Sequence, residues 1–408
     1  MFQQHKSNTT RYYLLIVFFL AFLFFSNDFG LIDTQKTAIV TAVGIDREDE
    51  EFILTSQVAI PQPSTQGTST QAVQLVSRGK TVSEAFEQIN AKTGWYPKLV
   101  FCKLLVLGKK TAEDNVFDAL DFFLLDEYLS DDCLVAVCDG FAKEILDVSA
   151  LVDATSSLAI EKVLSDHAER VGAVRPSTLK DFSIGYFSEN SSGTLPVLKK
   201  EKQQEETPPK TTSNSQTSSS ESNENGSDNS QNSEQQEKNK PVFSAKETAL
   251  FVRGRWKDTL TPAETFAVNA TIGKLRLASY SVPVGEATCT LSVKHNDSKI
   301  KIELGKEGQG QITALLTLTA GLLDYSQALD LEKLGDGGDV PHGVFASAEK
   351  KLSAEVASAY EKAKAVGCDL FGIKESFVKY KNRKYHKETN SFFEKTPFIV
   401  KVRFENIR

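Results

Sequence analysis

The longest unbroken apolar stretch of the chain is Tyr12–Phe25, close to its amino end. Lys6 and Arg11 precede this run, and no later stretch stays apolar for the roughly 20 residues that a spanning helix needs. Residues 1–33 are therefore predicted to form a membrane anchor, with the basic flank in the cytoplasm and the rest of the chain outside it. The anchoring side chains are Tyr12, Leu14, Leu15, Ile16, Val17, Phe18, Phe19 and Leu20.

A cleaved secretory signal is the alternative interpretation of this segment. The run is short for a spanning helix, although no small-x-small cleavage site follows it. Both interpretations place the remaining chain on the extracytoplasmic side of a membrane.

In the range 34–198, short apolar runs alternate between the period of strands and the period of helices. Strands over 37–46 and 52–61 are predicted to form a hairpin, and a polar loop is predicted over 61–70. The near-continuous apolar run 99–107 predicts a central strand covered on both faces. The alternation indicates an α+β domain with a mixed sheet.

Three helices carry local start or stop signals. A capping-box pattern beginning at Thr81 opens the first. Thr261 is followed by Pro and then Glu264, which predicts an N-cap and a first turn. The third and longest helix is predicted over 344–366, where apolar residues recur every three or four positions and Gly367 stands at the C-cap.

The range 199–240 has no aliphatic or aromatic side chain, so it is predicted to be disordered. Folding resumes beyond it, and the long helix is expected to pack on an antiparallel sheet. Within that sheet, a turn is predicted at Asn296–Ser298.

Composition excludes several classes of function. The formal net charge of −7, without a long basic run, excludes a typical nucleic-acid-binding protein. The five cysteines lie far apart with no CxxC, which argues against a disulfide framework or a zinc site. The sequence contains no GxSxG motif, no dinucleotide-binding fingerprint and no HxxxH pair. No catalytic residue, cofactor or metal site is therefore predicted.

Several short motifs occur in a characteristic order along the chain. The first strand carries Ala-x-Val-x-x-x-Gly-x-Asp, a later helix carries Glu264, and Asp-x-Phe-Gly follows the long helix. In order and spacing they resemble the Ger(x)C family, the C subunits of bacterial spore germinant receptors. The motif residues are Ala38, Val40, Gly44, Asp46, Glu264, Asp369, Phe371 and Gly372.

The resemblance implies three α+β domains behind the membrane segment, each a mixed or antiparallel sheet with packed helices, over 34–198, 241–282 and 283–408. It also implies a non-enzymatic accessory subunit of a nutrient germinant receptor in the spore inner membrane, required for germination. The expected partners are the integral-membrane A and B subunits and the membrane itself, with no nucleic acid and no small-molecule substrate.

The chain departs from the family in two places. Family members carry a lipidated cysteine near the amino end, whereas Asp28 occupies the corresponding position here and the first cysteine is Cys102. Attachment is therefore expected to come from the peptide itself. The polar range 199–240 is an insertion relative to typical members. Two alternatives remain: a membrane-anchored extracytoplasmic hydrolase or ligand-binding protein, or an orphan paralogue that has lost receptor function.

Overall fold

The computed structural model describes two sheets with helices packed on them, which confirms the predicted α+β class. The described residues are 11–20, 37–64, 67–147, 153, 155–201, 242–304, 310–326, 340–377, 379 and 396–407.

The first sheet has nine strands in the order β3-β2-β1-β5-β6-β7-β8-β9, and β4 pairs with the start of β1. Strands β1, β5, β6 and β7 run parallel to one another, whereas the outer strands run antiparallel to their neighbours. The strands are β1 Thr37–Glu48, β2 Glu51–Ser64, β3 Gly67–Gly79, β4 Tyr96–Lys98, β5 Leu104–Leu107, β6 Leu134–Cys138, β7 Ser192–Glu201, β8 Val242–Val252 and β9 Arg255–Leu260.

The second sheet has four strands in sequence order. The first three are antiparallel, and the last runs parallel to its neighbour. The strands are β10 Ala278–Val284, β11 Ala287–Leu304, β12 Gly310–Tyr325 and β13 Phe398–Asn406.

Helices cover these sheets, and their ends follow the local signals. Thr81 and Thr261 cap the helices that follow them, and Gly367 closes the longest helix in the left-handed conformation, as predicted. The helices are α1 at residues 11–20, α2 Val82–Thr93, α3 Lys109–Glu113, α4 Phe117–Leu125, α5 Ala142–Leu146, α6 Ser156–Val163, α7 Asp166–Arg170, α8 Leu179–Phe187, α9 Pro262–Thr271 and α10 His342–Val366.

Most of the helices bury apolar side chains against a sheet, whereas the side chains of α1 are exposed. One face of the first sheet packs on α2, α4 and α8, and the opposite face packs on α5 and α6. All four side chains of β5 are buried, as expected for a strand covered on both faces. The second core lies between α10 and the four-stranded sheet, where Phe345, Leu352 and Val356 are buried.

Three local predictions are wrong. Residues 99–103 form a turn, closed by the Cys102 N–H donating to the Leu99 carbonyl at 2.8 Å, so the apolar run 99–107 is a strand only from Leu104. The expected loop over 61–70 belongs mainly to paired strands β2 and β3. Strand β11 continues through the expected turn at Asn296, because β12 pairs with it along its length.

The polar range 199–240 lies outside the described residues from 202 onward, but the strands on either side of residues 202–241 are described. Strands β7 and β8 pair antiparallel, with Glu201 opposite Val242. Strands β8 and β9 thus extend the first sheet, whereas β10 belongs to the second. Independent folding of the ranges 34–198, 241–282 and 283–408 stays a prediction.

Candidate functional site

Asp369 joins the end of α10 to the loop between α8 and β7. Its carboxylate accepts hydrogen bonds from the backbone N–H groups of Ile373, Lys374 and Glu375 at 2.8, 2.9 and 3.2 Å. The Asn190 side-chain amide donates to the same carboxylate at 2.9 Å. Burial raises the pKa of Asp369, and the backbone N–H donors oppose that rise.

Phe371 and Gly372 complete this turn. The Phe371 ring stacks on Tyr360 and Phe398, with centroids 6.3 and 5.9 Å apart. Gly372 has a φ of 61°, a conformation that glycine adopts without steric cost. The Asp-x-Phe-Gly motif therefore fixes the chain after α10 against both sheets.

Glu264, like Asp369, joins two segments of the chain through hydrogen bonds to its carboxylate, here at the start of α9. Its carboxylate closes the capping box with Thr261 and also accepts from Lys362 and Ser358 of α10 at 2.8 and 2.7 Å. Burial alone raises the pKa of Glu264, but these hydrogen bonds and the Lys362 charge bring it below its usual value. Glu264 thus couples α9 to α10.

The first-strand motif holds α5 against β1. The Asp46 carboxylate accepts from the N–H groups of Ala142 and Lys143 at 2.7 and 3.0 Å. A Cβ on Gly44 would lie 3.1 Å from Ala142 Cβ, so a side chain there would press on α5. Burial raises the pKa of Asp46, and its two N–H donors lower it in part. Ala38 and Val40, the remaining motif residues, lie in the core.

The structure thus brings only part of the predicted set together. Asp369, Phe371 and Gly372 are neighbours, whereas Asp46 and Glu264 serve separate helices. Hydrogen-bond donors occupy all three carboxylates. The hydrogen bonds to these carboxylates stabilise the fold, and their chemical role is to cap helices.

A cleft of about 890 Å³ opens beside Asp369, where three distant segments meet. Its main walls are the α8–β7 loop, the β8–β9 hairpin and the end of α10 with the residues that follow it, and Asn115 completes the lining. Five cationic side chains line it, together with the carboxylates of Glu189 and Asp369: Arg253, Arg255, Lys257, Lys364 and Lys374. We call this feature the cationic cleft.

Arg253, Arg255, Lys257 and Lys364 form no ion pair with a carboxylate in the part of the chain that the structure describes. Two lysines of a smaller neighbouring cleft, which Lys257 also lines, are paired: Lys109 with Asp139 at 2.7 Å, and Lys199 with Glu247 at 2.6 Å. Unpaired like charges in one cleft repel one another, so an anionic group bound there would be stabilised.

The β8–β9 hairpin holds its cations in place through backbone contacts. The Arg253 N–H donates to the Ser191 carbonyl at 2.7 Å, and the Val116 N–H donates to the Gly254 carbonyl at 2.9 Å. Arg255 and Lys257 of β9 both line the cleft, although the pairing with β8 skips Lys257 at an irregularity. These basic residues were visible in the sequence, although the cleft that they line was not.

The other chemical groups form no further site. Among the described residues, no group of three His, Cys, Asp or Glu side chains could hold a metal ion. All five cysteines are free and buried, and burial raises the pKa of Cys368 to about 12. Because they are buried, these thiols are expected to have low reactivity.

Residues 11–20 of the predicted anchor are helical with exposed side chains, and residues 21–25 lie outside the described residues. No described helix combines the length and apolarity that crossing a membrane requires. The anchoring role of Tyr12–Phe25 stays a prediction.

Comparison with known proteins gives the following matches. The family model described as "Spore germination protein N-terminal domain" matches residues 32–200, and the one described as "Spore germination B3/GerAC like, C-terminal" matches residues 246–408. A structure entitled "Crystal Structure of the GerBC protein" matches with a TM-score of 0.52 and 16% identity, covering 90% of this chain and 97% of that one. No curated protein matches the chain. Because the two family models together cover most of the sequence, the chain belongs to the GerAC-type spore germination proteins.

Proposed function

We propose that this protein is a non-enzymatic accessory subunit of a nutrient germinant receptor in the spore inner membrane. The observation that carries the proposal is that spore germination family models match both halves of the chain. Its partners are then the integral-membrane A and B subunits of that receptor. The occupied carboxylates of Asp46, Glu264 and Asp369 support a structural role for the motif residues.

The cationic cleft is the surface that we assign to a receptor partner. Arg253, Arg255, Lys257 and Lys364 form no ion pair with a carboxylate among the described residues, and the hairpin that presents the first three is fixed by backbone hydrogen bonds. An acidic segment of a partner subunit would form charge-assisted hydrogen bonds there without first reordering the cleft.

Co-purification from spore membranes tests this assignment. Tagged protein carrying Arg255→Glu with Lys257→Glu is expected to lose the A and B subunits, because two positive charges of the cleft are reversed. Lys299→Glu with Lys301→Glu is the matched control, since these lysines are exposed at the same spacing on β11. Retention of both subunits by the cleft variant would assign the partner surface elsewhere.

Deletion of the gene tests the receptor role itself. Spores of the deletion strain are expected to respond slowly to nutrients, while sporulation proceeds normally. Normal nutrient germination, with no compensating paralogue, would favour the orphan-paralogue alternative.

An extracytoplasmic ligand-binding protein is the second candidate. The cleft volume of about 890 Å³ lies in the range of about 300–1,000 Å³ typical of small-molecule sites. Saturable binding of a small carboxylate to the purified protein, abolished by the double cleft variant, would favour this function.

A further inference from the structure

Large apolar side chains are exposed together at one edge of the first sheet. They lie between α2 and β5, in and beside β4, and at the end of α4 and in the loop after it, and each exposes between 40% and 82% of its surface. An exposed cluster of this kind marks an interaction surface more often than a scattered single residue does. The residues are Trp95, Tyr96, Val100, Phe101, Leu125 and Tyr128, and we call them the aromatic edge.

The topology explains why these residues meet. Strands β1, β5 and β6 are parallel, so their amino ends lie at one edge of the sheet. The turn before β5 and the loop before β6 both lie at that edge, where the Leu134 N–H donates to the Lys103 carbonyl at 2.9 Å. Lys98 Nζ lies 5.0 Å from the centroid of the Tyr128 ring, which joins β4 to the same loop.

The same edge receives the chain from the predicted membrane segment. Strand β4 pairs with Thr37–Ile39, the first residues of β1. Twelve Cα steps separate Phe25 from Thr37, so an extended chain spans at most about 43 Å between them. A segment inserted at Tyr12–Phe25 therefore keeps the aromatic edge close to the bilayer that it enters.

The composition of the edge fits the boundary between headgroups and acyl chains. Tryptophan and tyrosine are enriched at that depth because their rings are apolar and their N–H and O–H groups are polar. The charges around them are mixed, with Lys98 and Lys103 beside Glu127 and Asp132. Contact with lipid is therefore expected to depend on apolar insertion and to vary little with salt or anionic lipid.

We propose that the aromatic edge is a bilayer-contact surface that seats the first sheet on the membrane. This proposal rests on the membrane location in the proposed function. With this surface on the membrane, the amino ends of β1, β5 and β6 face the lipid.

Tryptophan fluorescence in brominated vesicles tests the contact. Trp95 and Trp256 are the two tryptophans of the chain, and the Trp256 indole N–H donates to the Asp258 carbonyl within β9. Full-length protein with an amino-terminal His-tag is held on vesicles by nickel-chelating lipid, whether or not its apolar segment inserts. Lipid with bromine near the carbonyl groups is compared with unbrominated lipid, and each tryptophan is observed in the variant that replaces the other with Phe.

Brominated lipid is expected to quench Trp95 emission and to leave Trp256 emission unchanged. Combining Phe101→Ser with Leu125→Ser is expected to reduce the Trp95 quenching. Leu277→Ser is the matched control, because Leu277 is 61% exposed and belongs to the α9–β10 connection.

Unchanged Trp95 emission on the tethered protein would overturn the proposal. If Trp95 is shielded from solvent only when A and B subunits are present in the vesicle, and lipid does not quench its emission, the proposal is overturned in favour of a protein partner. If the protein is lost from vesicles that lack nickel lipid, the peptide anchor is contradicted instead. Failure of the anchor can therefore be distinguished from failure of the bilayer-contact surface.

Discussion

Asn190 donates its side-chain amide to the Asp369 carboxylate at 2.9 Å, across 179 positions of sequence. One partner precedes the polar range 199–240 and the other follows α10. The bond therefore joins the part of the chain that builds the first sheet to the turn that closes the longest helix.

Replacing Asp369 by Ala is expected to destabilise the protein by about 2–3 kcal/mol, because three backbone N–H groups lose their acceptor. Asn190→Ala removes one donor and is expected to cost about 1 kcal/mol. Thermal unfolding of the purified protein measures both, and the double variant gives their coupling. Strictly additive effects would show that the hydrogen bond contributes nothing.

Glu264 is expected to make stability fall on acidification. Its pKa in the folded protein lies below the ordinary value of 4.5, so its contribution is present above pH 4.5 and is lost as the pH falls through the lowered pKa. Glu264→Gln is expected to flatten the dependence of Tm on pH in that window. Glu286→Gln, at an exposed turn, is the control, and equal flattening in both variants would contradict the assignment.

Gly108→Ala is expected to destabilise the protein by about 1–3 kcal/mol through overpacking. A Cβ at this position would overlap the Asp46 carboxylate. The φ of −68° suits any residue, so the overlap is the cause. A Cβ on Gly140 would meet no atom within 4 Å, and Gly140→Ala is expected to change stability by less than about 0.5 kcal/mol. Similar losses of denaturation midpoint in both variants would refute the explanation.

The range 202–241 is expected to be dispensable for folding. Glu201 and Val242 are paired neighbours, so an Asn-Gly turn can replace the residues between them. The shorter connection is expected to stabilise the protein by up to about 2–3 kcal/mol, because less entropy is lost on closing the loop. Protease cleavage in this range is expected to leave two fragments that co-elute on gel filtration. Fragments that separate without denaturant would show that β7 and β8 do not hold them together.

The apolar segment is expected to hold the full-length protein on membranes through a carbonate wash, without uptake of labelled fatty acid. A charge in the run, Phe19→Asp, is expected to release the protein or block its export, since a charge at a helix centre opposes insertion. Thr34→Asp, beyond the run, serves as the control. A free mature form that begins after Phe25 would identify the segment as a cleaved signal.

The sequence alone determined the elements whose signals are local. Thr81, Thr261 and Gly367 cap helices through contacts that span a few residues. The α+β class followed from such patterns. So did the order of the family motifs, because they are properties of neighbouring residues.

Tertiary structure decided everything that depends on strand pairing. Pairing with β12 carried β11 straight through Asn296, and the pairing of β7 with β8 placed Glu201 beside Val242. The cationic cleft and the aromatic edge each combine segments that are distant in sequence. Side-chain periodicity specifies which face of an element is buried, but the neighbour of that element is set by packing of the whole core.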